Sequence, residues 1–99
     1  QGKAATLHQL AGIYANTGEM EKAIAFYQQS LELTERIGYV QTKAATLAMM
    51  GQLLADERGE FDTALKYLQQ SLEIFQGIKS PTAETVKRII TRVQKKAAS

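Results

Sequence analysis

Two short stretches each occur twice in this chain: Lys-Ala-Ala-Thr-Leu at residues 3–7 and 43–47, and Gln-Gln-Ser-Leu-Glu at residues 28–32 and 69–73. The copies of the first stretch are 40 residues apart and those of the second are 41 apart, in the same order. Two five-residue identities at nearly one spacing do not arise readily by chance in 99 residues. The chain therefore contains two copies of one repeated unit, and the second copy has one residue inserted in a turn.

Each copy has the pattern of two helices separated by a glycine. In the first helix of each copy, apolar residues recur at the spacing i, i+3, i+4 and i+7, which places them on one face. They are Leu7, Leu10, Ala11 and Tyr14, and then Leu47, Met50, Gly51 and Leu54. The second helices carry a similar stripe of Met20, Ala23, Ile24, Tyr27, Leu31 and Thr34, and then Phe61, Ala64, Leu65, Leu68 and Leu72. Because glycine suits the conformation that ends a helix, we expect breaks at Gly18, Gly38, Gly59 and Gly77.

A fifth helix closes the chain. Ser80 is suited to cap its N-terminus and Pro81 to be its first residue, where a missing N–H costs nothing. Its apolar stripe aligns with the first helix of the second copy and consists of Val86, Ile89, Ile90 and Val93. We therefore predict an all-α fold of five helices in a single domain over residues 1–99. Repeat 1 would span 3–38, repeat 2 would span 39–78, and a C-terminal capping helix would span 80–98.

The repeated unit resembles the tetratricopeptide repeat. The large and small positions of that family are filled here by Leu7, Leu10, Ala11, Tyr14, Ala23, Tyr27 and Ser30, and in the second copy by Leu47, Met50, Gly51, Leu54, Ala64, Leu68 and Ser71. The resemblance implies a right-handed α-α superhelix, or solenoid, of antiparallel helix pairs with about 2.5 repeats. Its small residues would let paired helices approach closely. The period exceeds the usual length of about 34 residues and looks like the long-repeat branch found in kinesin light chains.

The two ends of the chain differ. Residues 1–3 align with residues 41–43, which we interpret as the linker before a repeat, so the chain looks like a piece of a longer array, natural or engineered. We expect the face with Leu7, Ile13 and Tyr14, which a preceding unit would cover, to promote self-association. At the other end, Ile90 stands where a small residue is expected and would keep a further helix away, as in capping repeats.

The composition argues against catalysis and against bound cofactors. The chain has no cysteine, and His8 is its single histidine, so a two-histidine metal site cannot form within one chain. No glycine-rich phosphate loop is present, and the acidic cluster at residues 56–62 lacks the spacing of a calcium loop. We expect a non-enzymatic protein with no cofactor and no metal. With 12 basic and 10 acidic residues and no long apolar run, the sequence predicts neither a nucleic-acid nor a membrane partner, and the cytoplasm is the default location.

The resemblance also implies a ligand groove that is lined by the first helix of each unit. The family's groove positions fall on Ala5, His8, Gly12, Ala15 and Asn16, on Ala45, Ala48, Gln52, Ala55 and Asp56, and on Glu84, Lys87, Thr91, Gln94 and Lys95. Small residues would leave space for a peptide, Asn16 and Gln52 would bond its backbone, and His8, Lys87 and Lys95 would meet acidic groups. The alternative is that these are ordinary exposed residues. The lysine and asparagine of the family's chaperone-binding clamp are absent.

The last helix carries a cluster of positive charge, formed by Lys87, Arg88, Arg92, Lys95 and Lys96. The cluster is either a patch for an acidic protein, nucleic acid or anionic lipid, or the polar outer face of a terminal helix. The leading hypothesis is a protein–protein interaction module, a scaffold or adaptor fragment that binds a peptide or helix in its groove. The alternative is a self-assembling unit that forms a homo-oligomer through exposed helix faces. An anion-binding module is the third hypothesis.

Overall fold

The structure, a computed structural model, describes residues 2–37 and 39–99. Its helices are α1 (Gly2–Asn16), α2 (Met20–Ile37), α3 (Val40–Arg58), α4 (Phe61–Gly77) and α5 (Thr82–Ala98). Helices α1 and α2 form one packed pair, α3 and α4 form a second, and α5 packs on α4. The described residues contain no β-strand. The predicted all-α fold with five helices is therefore confirmed, and the break predicted at Gly38 and the alignment of Gln1 lie outside the described residues.

The helices form two layers that differ in their spacing. Helix α3 contacts both α1 and α5, so the three first helices lie side by side in one layer. Helix α2 packs against α3 and joins the two pairs. Over residues 2–37 and 39–99, no Cα of α2 lies within 8 Å of a Cα of α4. The layer of first helices is thus continuous, whereas the layer of second helices is open between α2 and α4.

The ends of the helices follow the predicted glycines with one exception. Gly18 and Gly59 have positive φ angles of 86° and 65°, which a residue without Cβ adopts easily. Gly77 is the last residue of α4, but the left-handed position there is taken by Lys79, at φ 57°. The N–H of Ser80 then bonds the carbonyl of Phe75 at 2.8 Å, which closes the helix end. Gly77 ends α4 as predicted, and the exception is only that Lys79, two residues later, supplies the left-handed turn.

The extra residue of the second unit lies in the turn that ends α3. In the first unit, the N–H of Glu19 bonds the carbonyl of Tyr14 at 2.8 Å. In the second unit, the corresponding bond runs from Glu60 to Leu54 at 3.0 Å, and its ring contains one residue more. The inserted residue therefore leaves the closing hydrogen bond in place.

The start of α3 corrects one interpretation. Residues 41–43, which align with the first residues of the chain, were expected to form a linker, but they lie in the first turn of α3. None of these residues is a helix breaker, so the helix extends through them. At α5 the hydroxyl of Ser80 accepts a bond from the N–H of Thr82 at 3.2 Å, as expected of a capping residue. The helix itself begins at Thr82, one residue later than predicted, although Pro81 already has helical dihedral angles.

Small residues hold the helix pairs together closely. Ala11 and Ala23 in the first pair and Ala64 in the second are fully buried. A Cβ added to Gly51 would lie 2.9 Å from the Leu68 Cγ and 3.0 Å from the Ala64 carbonyl oxygen, closer than real Cβ contacts. The α3–α4 pair therefore requires glycine at this crossing, as the family resemblance implied.

Two buried serines occupy equivalent places in the two units. The Ser30 hydroxyl donates to the carbonyl oxygen of Ala4 at 3.1 Å, and the Ser71 hydroxyl donates to that of Ala44 at 2.7 Å. Each bond joins the second helix of a unit to the start of its first helix. Because both serines are fully buried, these bonds satisfy hydroxyls that would otherwise be unpaired in the core.

Candidate functional site

The structure places the predicted groove residues at three levels of exposure. The half-buried ones are Ala5, His8, Gly12, Ala15, Ala45 and Gln52. The buried ones are Ala48 and Ala55. The exposed ones are Asn16, Asp56, Glu84, Lys87, Thr91, Gln94 and Lys95. Ala48 and Ala55 serve the helix packing, so the accessible part of the first-helix layer is formed by the other residues.

A small cavity lies between α1 and α3 on the first-helix layer. Its volume is about 260 Å³, and its lining combines three predicted positions with three new ones. The predicted ones are Ala5, His8 and Ala45, and the new ones are Gln9, Gln41 and Thr42. Small alanines on two neighbouring helices open this cavity, and amide and hydroxyl groups surround it. It has the size and polarity to receive one side chain of a ligand.

His8 is built into the wall of this cavity. Its Nδ1 lies 2.9 Å from the Thr46 hydroxyl of α3, and its ring meets the Tyr27 ring edge-to-face at a centroid distance of 5.3 Å. Burial lowers the pKa of His8 below its ordinary value of 6.5. The imidazole is therefore neutral at pH 7 and can act as a hydrogen-bonding group in the cavity. A neutral imidazole can still donate to a carboxylate, so the expectation that His8 meets an acidic group stays a prediction.

Asp56 is engaged by the last helix. Its carboxylate accepts hydrogen bonds from Arg92 at 2.8 and 3.2 Å and from Lys96 at 3.2 Å. The Arg92 hydrogen bond holds the pKa of Asp56 below its ordinary value, and Lys96 adds to the effect. The ion pairs join α3 to α5, so Asp56 holds the layer of first helices together in addition to lying at its surface.

The predicted residues of α5 lie on a different side of that helix. Arg92 and Lys96 lie on the side of α5 that faces Asp56. Successive residues of an α-helix are about 100° apart around its axis. Lys87, Thr91 and Lys95 therefore form a stripe that is rotated by about 100° from the side facing α3. The structure brings the α1 and α3 positions together around the small cavity, and it places this stripe away from them.

Four residues near the candidate groove escaped the sequence analysis. Gln9 and Met49 lie on the same helix faces as Ala5 and Ala45, four residues further along, and Met49 is 38% exposed. Their i+4 spacing was a signal that could have identified them. Gln41 and Thr42 were assigned to a linker, and this misassignment hid their place in the cavity.

Ion pairs reduce the free positive charge on α5. Arg92 and Lys96 bind Asp56, and Lys87 lies 3.2 Å from the Glu84 carboxylate. Three of the five cations of the cluster are thus paired with carboxylates. This pairing weakens the case for an anion-binding patch, because paired cations repel one another less and attract phosphate less.

The outer face of α1 is apolar and differs from the equivalent face of α3. Leu47, Met50 and Leu54 of α3 are buried, because α2 packs on this side of the helix. Their equivalents in α1, Leu7, Leu10 and Tyr14, are only half-buried. Ile13 on the same side of α1 is 56% exposed. Within the described residues no helix covers this face.

The described part of the chain contains no group of three His, Asp or Glu side chains placed to hold a metal ion. None of the helices described is both long and apolar enough to cross a membrane.

Two layers of paired helices, built from one repeated unit with small residues at the crossings, define a helical-repeat protein. The model of the tetratricopeptide repeat family matches residues 2–77, which is most of the chain. The chain belongs to the tetratricopeptide repeat family. No curated protein and no solved structure matches it. Tetratricopeptide repeats generally mediate protein–protein interaction and scaffolding, and the family is typically non-catalytic.

Proposed function

We propose that this chain is a non-catalytic interaction module that binds a peptide or helix of a protein partner on the layer formed by α1, α3 and α5. The observation that carries the proposal is the cavity between α1 and α3. Ala5 and Ala45 provide its space, and the neutral His8 provides a hydrogen-bonding group at its wall. A layer of first helices with small residues and polar groups around a cavity is the kind of surface that stacked helix pairs offer to peptides.

The test fills the cavity without disturbing the helix packing. Ala45→Phe places a large ring in the cavity, and the matched control Ala25→Phe adds the same ring to α2, on the opposite layer. Peptides selected from a random display library against the unmodified protein should bind Ala45→Phe at least about tenfold more weakly and Ala25→Phe equally well. Circular dichroism checks that both variants fold. The proposed site is refuted if every selected peptide binds Ala45→Phe as tightly as it binds the unmodified protein.

A second candidate function is self-assembly through the outer face of α1. It is favoured by the comparison of equivalent residues: the positions that α2 covers on α3 are left half-exposed on α1, with Ile13 beside them. Burying apolar surface contributes about 25 cal/mol per Å², so covering such a face is favourable. Sedimentation equilibrium over a wide concentration range tests it, with Ile13→Lys as the disrupting variant and Lys87→Ala as the control. A constant monomer mass for the unmodified chain at millimolar concentration would remove this candidate.

A further inference from the structure

A second cleft lies between α2 and α4, in the layer opposite the first helices. Its volume is about 570 Å³, within the range of about 300–1,000 Å³ typical of ligand sites. It exists because α1 and α3 touch, whereas the backbones of α2 and α4 do not approach within 8 Å over the described residues. Leu31 and Leu47 form the apolar floor of the cleft. Ala25 is small and exposed, so the wall formed by α2 is lower at this position.

The walls of the cleft carry groups that pair with peptide bonds. Gln28 and Gln29 project from α2, and Gln70 and Tyr67 project from α4. The three glutamines are exposed, so their amides are accessible to a ligand. A primary amide offers two donors and an acceptor, which match the C=O and N–H of one peptide unit. Amides on the two helices that border the cleft are therefore suited to hold a peptide backbone.

The repeat itself supports a role for these amides. Gln29 and Gln70 occupy the same position in the two copies of Gln-Gln-Ser-Leu-Glu. The identity of the serines is explained by packing, because Ser30 and Ser71 are fully buried and hydrogen-bonded. The glutamines are exposed, so both copies offer an amide to a ligand at the cleft, at Gln29 and Gln70.

The cleft also has a negative edge. Glu32 and Glu35 line it on α2. At one end of the cleft, the Lys43 ammonium lies 3.9 Å from the Glu35 carboxylate. Because one cation stands beside two carboxylates, this edge keeps a net negative charge. A carboxylate at the rim of an apolar floor favours a ligand cation, which can form a charge-assisted hydrogen bond with it.

We propose that the α2–α4 cleft binds an extended peptide segment in which a lysine or arginine neighbours an aliphatic side chain. The aliphatic side chain lies against Ala25 and Leu31, the backbone pairs with Gln29 and Gln70, and the cation meets Glu32. This site is independent of the proposed function, because the α1–α3 cavity lies in the other layer.

The probe is an acetylated and amidated six-residue peptide with a central leucine and two lysines. Its counterpart carries glutamates in place of the lysines. Each is titrated into the ¹⁵N-labelled protein, and amide shifts give the affinity and the location. The lysine peptide should bind at least about tenfold more tightly than the glutamate peptide, because charge-assisted bonds form only with the former. The shifts should fall on α2 and α4.

Three variants locate the site. Ala25→Phe should weaken binding of the lysine peptide at least about tenfold, whereas Ala45→Phe in the other layer should leave it unchanged. Glu32→Gln should weaken the lysine peptide and not the glutamate peptide. Gln29→Ala combined with Gln70→Ala should weaken both, because the amides bind the backbone.

The proposal is overturned if neither peptide binds, if both bind equally, or if the shifts map to α1 and α3. It is also overturned if Ala25→Phe abolishes a concentration-dependent increase in mass, since the cleft would then receive a second copy of the chain. The proposed function has a separate readout, because its display-selected peptides depend on Ala45 and not on Ala25.

Discussion

Gly51 and Gly12 lie in the interiors of α3 and α1, and the structure predicts that the same substitution acts oppositely at the two sites. A Cβ on Gly51 would lie 2.9 Å from the Leu68 Cγ and 3.0 Å from the Ala64 carbonyl oxygen. A Cβ on Gly12 would meet only the Tyr27 hydroxyl, at 3.8 Å, which is an ordinary van der Waals contact. Gly12→Ala is therefore expected to stabilise the fold and Gly51→Ala to destabilise it.

The magnitude follows from two terms. Alanine is the better helix former by about 1 kcal/mol, and this gain applies equally to both variants. At Gly51 the new methyl forces α3 and α4 apart or moves Leu68 from its rotamer, and such overpacking typically costs about 1–3 kcal/mol. Because the gain in helix propensity is common to both variants, it cancels in their comparison. Gly12→Ala should therefore exceed Gly51→Ala in free energy of unfolding by about 1–3 kcal/mol.

Thermal and urea unfolding followed by circular dichroism measure this difference. For a domain of this size each kcal/mol corresponds to about 4–8 °C in Tm. A double-mutant cycle locates the cause: in a Leu68→Ala background, Gly51→Ala should lose the part of its penalty that comes from Leu68 and keep the part that comes from the Ala64 carbonyl oxygen. Equal stability of Gly12→Ala and Gly51→Ala would refute the reasoning, because it would mean that α3 and α4 are not held in close contact at Gly51.

Three further predictions concern stability. The pKa of His8 is lowered in the folded chain, so as the pH falls the unfolded chain takes up a proton before the folded chain does. The free energy of unfolding should therefore fall as the pH drops from 7.5 to 5.5. Urea unfolding at both pH values measures this loss, which should be smaller in His8→Gln. Ser71→Ala removes a buried bond to Ala44 and should cost about 1 kcal/mol, with a Tm lowered by about 4–8 °C in calorimetry. Arg92→Ala breaks a partly exposed pair with Asp56 and should cost about 0.2–1 kcal/mol at low salt; a loss that persists undiminished in 1 M NaCl would contradict an electrostatic origin.

Much of the fold could be predicted because the repeat and the helical spacing are local properties of the sequence. The offset of 40 residues, the stripe that begins at Leu7 and the glycines at 18 and 59 together indicate helix pairs. The turn after α4 could not be predicted. Lys79 adopts a left-handed conformation that is uncommon for its residue type, and only the course of the chain into α5 requires it.

The candidate site was less predictable because it depends on how whole helices face one another. Three of the groove positions transferred to α1 and α3, Ala5, His8 and Ala45, lie around one cavity, and their role in binding stays a prediction. In α5 the same positions, such as Lys87 and Lys95, lie away from that surface, because Arg92 and Lys96 take the side that faces Asp56. The α2–α4 cleft arises from the distance between two helices that are far apart in the sequence. No local sequence pattern predicts that distance.

The wide turn that ends α3 has a consequence for how such chains grow. The bond from Glu60 to Leu54 closes a ring with one residue more than its counterpart in the first unit, yet the next helix starts in the same relation to its partner. The turn thus acts as a spacer of adjustable length. Units that differ by a residue can be joined in tandem by duplication or recombination without shifting the register of the helices that follow.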